Sequence, residues 1–225
     1  MRRKRFTPLK MKQTGQDIII AGFLILNLFI AIYTINHLPF IDFRPYRIGN
    51  NISELMKPSA PFQYRYIMEK EGREYKLDQF PSDTTYHFKK MVLLNPEAQP
   101  KITDYHVWND EGDYTEETFK GNKLFIVLYN VSKANTKNIN EINSLINSLN
   151  GKIDVWILTA SDKDAVENFR NKYHLNIPYY YTDMTVLEAI VRSNPGLWLL
   201  KDGTVKGKWP HSNIPDPEEI SELLN

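Results

Sequence analysis

Few side chains in this 225-residue chain sit at spacings that would support chemistry. Cysteine is absent, which removes thiolate nucleophiles, disulfides and cysteine-ligated zinc together. A chain without thiols suits a reducing or an oxidising compartment equally well. The histidines are His37, His87, His106, His174 and His211. None has a second ligand at the spacing of H-E-x-x-H, so no metal site is expected. Asp104 and His106, two apart, would share one face of a strand, with a surface or capping role expected of them. No G-x-S-x-G, P-loop or G-x-G-x-x-G occurs, so hydrolase chemistry, nucleotide partners and bound cofactors lack support. A formal net charge of +1 argues against a nucleic-acid partner.

The elements that would position these groups begin with a membrane segment. Residues 18–41 carry no charge and would reach about 36 Å as a helix, enough for a hydrocarbon core of about 30 Å. Arg2, Arg3, Lys4, Arg5, Lys10 and Lys12 precede it. By the positive-inside rule, residues 1–17 form a basic cytoplasmic tail and the rest of the chain crosses to the far side. A cleaved signal peptide would have a shorter apolar region followed by a small-residue site, and Tyr33 to Pro39 offers none. Asn27 in the middle of the run is either a tolerated amide or a hydrogen-bond contact to a partner helix. Past the helix, Leu38 to Tyr46 combines aromatic rings with Arg44 and two prolines, Pro39 and Pro45. This suits an extended stretch among lipid headgroups.

Residues 42–97 are expected to hold this juxtamembrane segment and a small β module. FQYRYIM and REYKLDQF alternate around a turn at Glu71-Gly72, and KMVLL is a third strand. From residue 98 strands and helices alternate. LFIVLY (Leu124 to Tyr129) and DVWILT (Asp154 to Thr159) are short apolar runs of buried strands. Ile139, Ile142, Leu145, Ile146 and Leu149 mark a helical face. Ser161 with Asp164 makes a capping-box-like helix start. IPYYYT and TVLEAIV follow as strand and helix. A hairpin turning at Asp202-Gly203 and a helix opened by Pro217 end the chain. The order β-α-β-α-β-α-β-β-α predicts an α/β fold, a mixed sheet with flanking helices.

Four strings in this order resemble the thioredoxin-like fold of the TlpA/peroxiredoxin kind. Pro100 to Tyr105 resembles its P-x-x-x-D-[FY] opening, and Gly121-Asn122-Lys123 its first-strand start. Asn194-Pro195 resembles its cis-proline, and Lys201-Asp202-Gly203 its hairpin. The resemblance covers residues 98–225. It places the C-x-x-C of that family at Ser132, Lys133, Ala134, Asn135 and Thr136, a degenerate active-site loop without sulfur. Disulfide exchange needs a thiolate attacking a disulfide, so this chain alone cannot perform it. Lys133 has small polar neighbours and reads as solvated, without the burial a nucleophilic lysine requires. The resemblance also implies a peptide-binding groove beside the proline, formed by Asn194, Pro195, Trp209 and His211; Trp209-Pro210-His211 is read either as core and structural positions or as an exposed contact surface.

A narrower likeness joins His37 to Gly49 and Ser193 to Gly203 to bacterial DoxX-family membrane proteins with a thioredoxin-like tail. That likeness implies a bacterial inner-membrane protein with a periplasmic domain, in contact with lipid and with a membrane or periplasmic protein. Those relatives have several helices where one is present here. This chain is then a short relative, or its other helices come from separate chains or from missing upstream sequence. The expected function is a redox-inactive interaction module. The alternative is an auxiliary subunit of a DoxX-type redox or transport complex.

Overall fold

The computed structural model describes residues 12–36, 38–39 and 41–225. Arg2, Arg3, Lys4, Arg5 and Lys10, on which the expected orientation mainly rests, and His37 and Phe40 lie outside the described residues. The chain divides into two compact units, the second being Ile41–Asn225.

In the first unit, α1 (Gln13–Asn36) is one helix of 24 residues. The polar residues Gln13 to Asp17 continue its first turns, and Pro39, lacking a donor, lies beyond its end. The expected span 18–41 therefore starts inside the helix and overruns it. Within α1, Gln13–Tyr33 is long and apolar enough to cross a membrane. Asn27 Nδ2 donates to Phe23 O at 2.7 Å, so the donor half of its amide is satisfied one turn back.

The second unit opens with an irregular strap that holds one helical turn, α2 (Ile52–Leu55). A three-stranded antiparallel sheet follows: β1 (Tyr64–Lys70), β2 (Arg73–Leu77) and β3 (His87–Leu93), in the order β2-β1-β3. Glu71 and Gly72, at φ 53° and 75°, close the expected two-residue hairpin. Asn95 closes the base of this sheet: its Oδ1 accepts from Gln63 N and its Nδ2 donates to Pro61 O.

The main sheet comprises β4 (Trp108–Asn109), β5 (Gly112–Asp113), β6 (Asn122–Leu128), β7 (Asp154–Thr159), β8 (Tyr179–Tyr181), β9 (Gly196–Lys201) and β10 (Thr204–Pro210). Its order is β10-β9-β6-β7-β8-β4-β5. The strands β6, β7 and β8 are parallel, and β9 and β10 return antiparallel. Between β6 and β8 lie α3 (Ile139–Leu149) and α4 (Lys163–Tyr173). After β8 come α5 (Met184–Ile190) and, beyond β10, α6 (Pro217–Leu224). From β6 onward this is the alternation that the sequence predicts, and it is a thioredoxin-like mixed α/β fold with flanking helices. Alternate residues of β6 show why both faces are buried. Leu124, Ile126 and Leu128 join Ile142, Leu145 and Ile146 of α3, Phe169 of α4 and Ile220 of α6 in one core. Phe125, on the opposite face, meets Trp198 at 5.3 Å.

Three local expectations change. Asp104 and His106 are not on a strand. The β4–β5 hairpin draws His106 to Asp113, with Nε2 3.1 Å from the carboxylate, and stacks its ring on Trp108. The cap of α4 is Asp162, not Ser161: its Oδ1 accepts from Ala165 N at 2.9 Å, and a carboxylate suits a helix N-terminus.

Finally, the stretch after Ile41 ends packed on the main sheet, not as a free extended segment. Tyr46 is 3% exposed, edge-on to Trp198, because its ring buries more apolar surface against the sheet than a wet strap would allow. The strap also bonds along β10, the end strand of the sheet. Gly49 N donates to Val205 O, Val205 N to Asn50 O, and Ile52 N to Gly203 O. Ile41 and Phe43 stay exposed.

Candidate functional site

The site lies where β6 ends and the proline before β9 approaches it. Asn130 leaves β6 in extended geometry and caps a single 3-10 turn, Val131–Lys133. Its Oδ1 accepts from Lys133 N at 3.2 Å and from the Ser132 hydroxyl at 2.8 Å. Val131 N donates to the hydroxyl of Ser161, the group set free when Asp162 takes over the cap of α4. The helix α3 begins only at Ile139, so Ser132 to Thr136 form a loop before it. In that loop Ser132, Lys133 and Asn135 are exposed, while Ala134 and Thr136 are half-buried.

Asn194-Pro195 is a cis peptide, as the resemblance implied. Asparagines join the two loops. Asn194 Nδ2 donates to Asn130 O at 2.6 Å, and Asn135 N donates to Asn194 O at 2.8 Å. A peptide pairing beside Pro195 through this carbonyl would have to displace the Asn135 amide. Asn194 itself is buried, and its Oδ1 has no partner among the described residues. Ser193 ties the proline loop to the end of β10. Its hydroxyl donates to Pro195 O, accepts from His211 N, and lies 2.8 Å from His211 Nδ1. Burial lowers the pKa of His211, and Lys137 adds to the effect.

Trp209 departs from its expected place. It is 6% exposed and belongs to the core under α3, because its strand neighbour Lys208 faces the strap and alternation turns Trp209 inward. Its Nε1 donates to Glu219 of α6 at 2.9 Å. The exposed surface imagined at Trp209-Pro210-His211 reduces to the half-buried His211.

Sequence reasoning missed a second polar cluster. Asp42 of the strap accepts from Arg44 Nε at 2.7 Å and from Lys208 Nζ at 2.8 Å, and the Lys208 side chain is 3% exposed. Burial raises the Asp42 carboxyl, but hydrogen bonds from Arg44 and Lys208 outweigh it and hold the group well below the usual carboxylate range. Burial pushes Lys208 down to about 8, against the pull of Asp42. The one available signal was the alternation of β10, which places Lys208 on the face of Trp198, its cross-strand partner. Among the described residues, no group of three or more His, Asp and Glu gathers at a metal-binding distance.

No family model matches the sequence, and no curated protein matches it. Solved structures do. A thiol-disulfide oxidoreductase from Bacteroides fragilis is 16% identical over 53% of this chain and 94% of its own, with a TM-score of 0.40. A secreted disulfide oxidoreductase from Mycobacterium tuberculosis is 13% identical over 54% and 94%, with a TM-score of 0.39. A thiol peroxidase from Chromobacterium violaceum is 14% identical over 55% and 83%, also at 0.39.

Proposed function

We propose that this chain is a membrane-anchored, redox-inactive thioredoxin-like domain that serves as a protein-interaction module on the extracytoplasmic side. The observation that carries the reading is the loop Ser132 to Thr136. It has no thiol, and Asn135 and Asn130 fasten it to the proline loop through Asn194. A site that exchanges disulfides needs an accessible thiolate. Here asparagine hydrogen bonds fill the same position, which suits a scaffold. The apolar helix α1 and the basic residues before it support the anchor and its orientation. The likeness of residues 37–49 and 193–203 to DoxX-type proteins with thioredoxin-like tails belongs to the same proposal.

The test places a photoreactive residue in turn at the exposed positions Lys76, Lys133, Glu141 and Lys172 of the full-length chain in native membranes. Illumination should give a discrete adduct with one protein from one side of the domain. If the chain inserts normally and no position yields such an adduct, the interaction reading fails. Turnover of any substrate that is lost in Lys133→Ala would replace it with an enzyme.

A further inference from the structure

We propose that Asn150-Gly151 is a site of spontaneous covalent modification, at which the folded chain converts its own side-chain amide into aspartate and isoaspartate. The proposal depends on neither the membrane reading nor the partner reading. Asn150 ends α3 at φ −55° and ψ 128°, and Gly151 follows at φ 75°. These are the central dihedrals of a type II turn, closed by Lys152 N donating to Leu149 O at 2.9 Å. Such a turn calls for glycine at its second central position. The same glycine leaves the backbone nitrogen after Asn150 unshielded by any side chain. Among the described residues Gly151 N has no acceptor and the Asn150 side chain no hydrogen-bond partner, and both residues are exposed. Nothing lies within 4 Å of the point where a Cβ on Gly151 would stand, so the approach is open.

The step needs only water. Gly151 N, on losing its proton to base, attacks Cγ of Asn150. The new N–Cγ bond closes a five-membered succinimide, and the side-chain nitrogen leaves as ammonia after gaining that proton. Water then opens the ring. Addition at Cγ breaks the new bond and leaves aspartate on the original backbone. Addition at the Asn150 carbonyl carbon breaks the original peptide bond and leaves isoaspartate, with the chain running through Cβ and Cγ. Nothing is oxidised or reduced. Closing the ring swings ψ of Asn150 away from 128° and opens the bond from Lys152 N to Leu149 O. That is a local opening at a helix end, which costs less than global unfolding.

Other parts of the molecule set this pair apart. Asn150 is the one asparagine of the sequence that precedes glycine. Asn143 and Asn147 precede serines inside α3, whose amides belong to the helix ladder and whose Cβ atoms crowd the attack. The related pair Asp202-Gly203 is locked in its hairpin. Asp202 Oδ1 accepts from Gly121 N at 3.0 Å, and Asp202 N donates to Gly121 O at 2.9 Å. A Cβ on Gly203 would already touch Phe119 and Asn51. Either product at position 150 places a carboxylate at the C-terminus of α3, the end of a helix that disfavours negative charge. Isoaspartate also lengthens the turn between Leu149, a core residue, and Ile153, which packs against that core. Both changes act against the folded state.

The test incubates the full-length chain in detergent micelles at mildly alkaline pH. Trypsin releases residues 138–152 as one peptide, in which tandem mass spectrometry locates the exchange of amide for acid. Isoaspartyl methyltransferase with labelled S-adenosylmethionine counts isoaspartate in the same peptide. Acid and methyl acceptance should accumulate together at position 150 and faster as hydroxide rises, while the circular dichroism of the chain stays native. Asn150→Gln should abolish both signals, since its ring would be six-membered and slow to close. The acidic form, separated by anion exchange, should melt at a lower temperature than fresh protein. The same chain unfolded in urea gives the reference rate. Conversion in urea but none in the folded chain overturns the proposal, because the turn then holds the reacting atoms apart. Conversion at Asn143, Asn147 or Asp202 ahead of Asn150 overturns it as well.

Discussion

At the residue scale, the Asp42–Lys208 pair shows what the strap contributes. A buried ammonium is tolerable only beside its carboxylate, so Asp42→Ala leaves Lys208 uncompensated and should cost about 3–5 kcal/mol in denaturant unfolding. Adding Lys208→Met should recover most of that loss, since a buried pair replaced by apolar volume is often nearly neutral. The pH dependence has two windows. Asp42 has a depressed folded pKa, so its stabilisation is present above the unfolded value of about 3.9 and is lost as pH falls through the folded one. For Lys208 the folded value is about 8, below the ordinary lysine value of 10.5. The unfolded chain binds more protons between these values, so stability should rise with pH across that window and the rise should vanish in Lys208→Met. Gly207 is a second exacting position. A Cβ built there falls 2.0 Å from Cη2 of Trp209, a fixed core ring. Gly207→Ala should therefore lower stability by about 1–3 kcal/mol, read as a fall in melting temperature.

At the element scale, the staple between the two loops makes its own prediction. Asn194→Ala removes the donor to Asn130 O and should cost about 1–2 kcal/mol. The sharper readout is hydrogen exchange, in which the amide of Asn135, now bonded to Asn194 O, should lose protection while the amides of β6 keep theirs. Exposed Ser132→Ala should change stability by less than about 0.5 kcal/mol. This junction also shows what the sequence could reveal. The strands LFIVLY and DVWILT, the helix through Ile142 and Ile146, and both tight turns were legible because period and turn chemistry are local. The loop at Ser132 to Thr136 and the proline at 195 were legible through the resemblance. The bonds joining them were not, because Asn130 and Asn194 are 64 residues apart in sequence. Ser161 failed for a related reason. Either Ser161 or Asp162 could cap α4, and only the arrival of Val131 N next to Ser161 decides between them. An exposed Trp209 failed because it was read together with the loop at Pro210-His211, whereas β10 runs on to Pro210 and its alternation turns the ring inward.

At the scale of the whole molecule, the resemblance covers residues 98–225, after the proline-flanked stretch Asn95 to Pro100. The structure supplies physical reasons why that piece is incomplete. Without residues 41–60 the outer edge of β10 has open donors and acceptors at Gly203 and Val205, now met by Gly49, Asn50 and Ile52. Trp198 also loses the ring of Tyr46, and Lys208 loses its acceptor oxygen and its countercharge at Asp42. Each loss acts on the same two strands, so their effects compound: an uncovered edge is a template for intermolecular pairing, and a bared tryptophan beside it adds apolar surface. Residues 98–225 expressed alone should therefore aggregate or unfold, while residues 41–225 should give a monodisperse, cooperatively melting protein. Light scattering and thermal unfolding of the two fragments decide the matter. If the shorter fragment melts as cooperatively and as high as the longer one, the strap is an accessory lying on a self-sufficient domain. If it does not, the short stretch leading from the membrane helix is part of the fold itself.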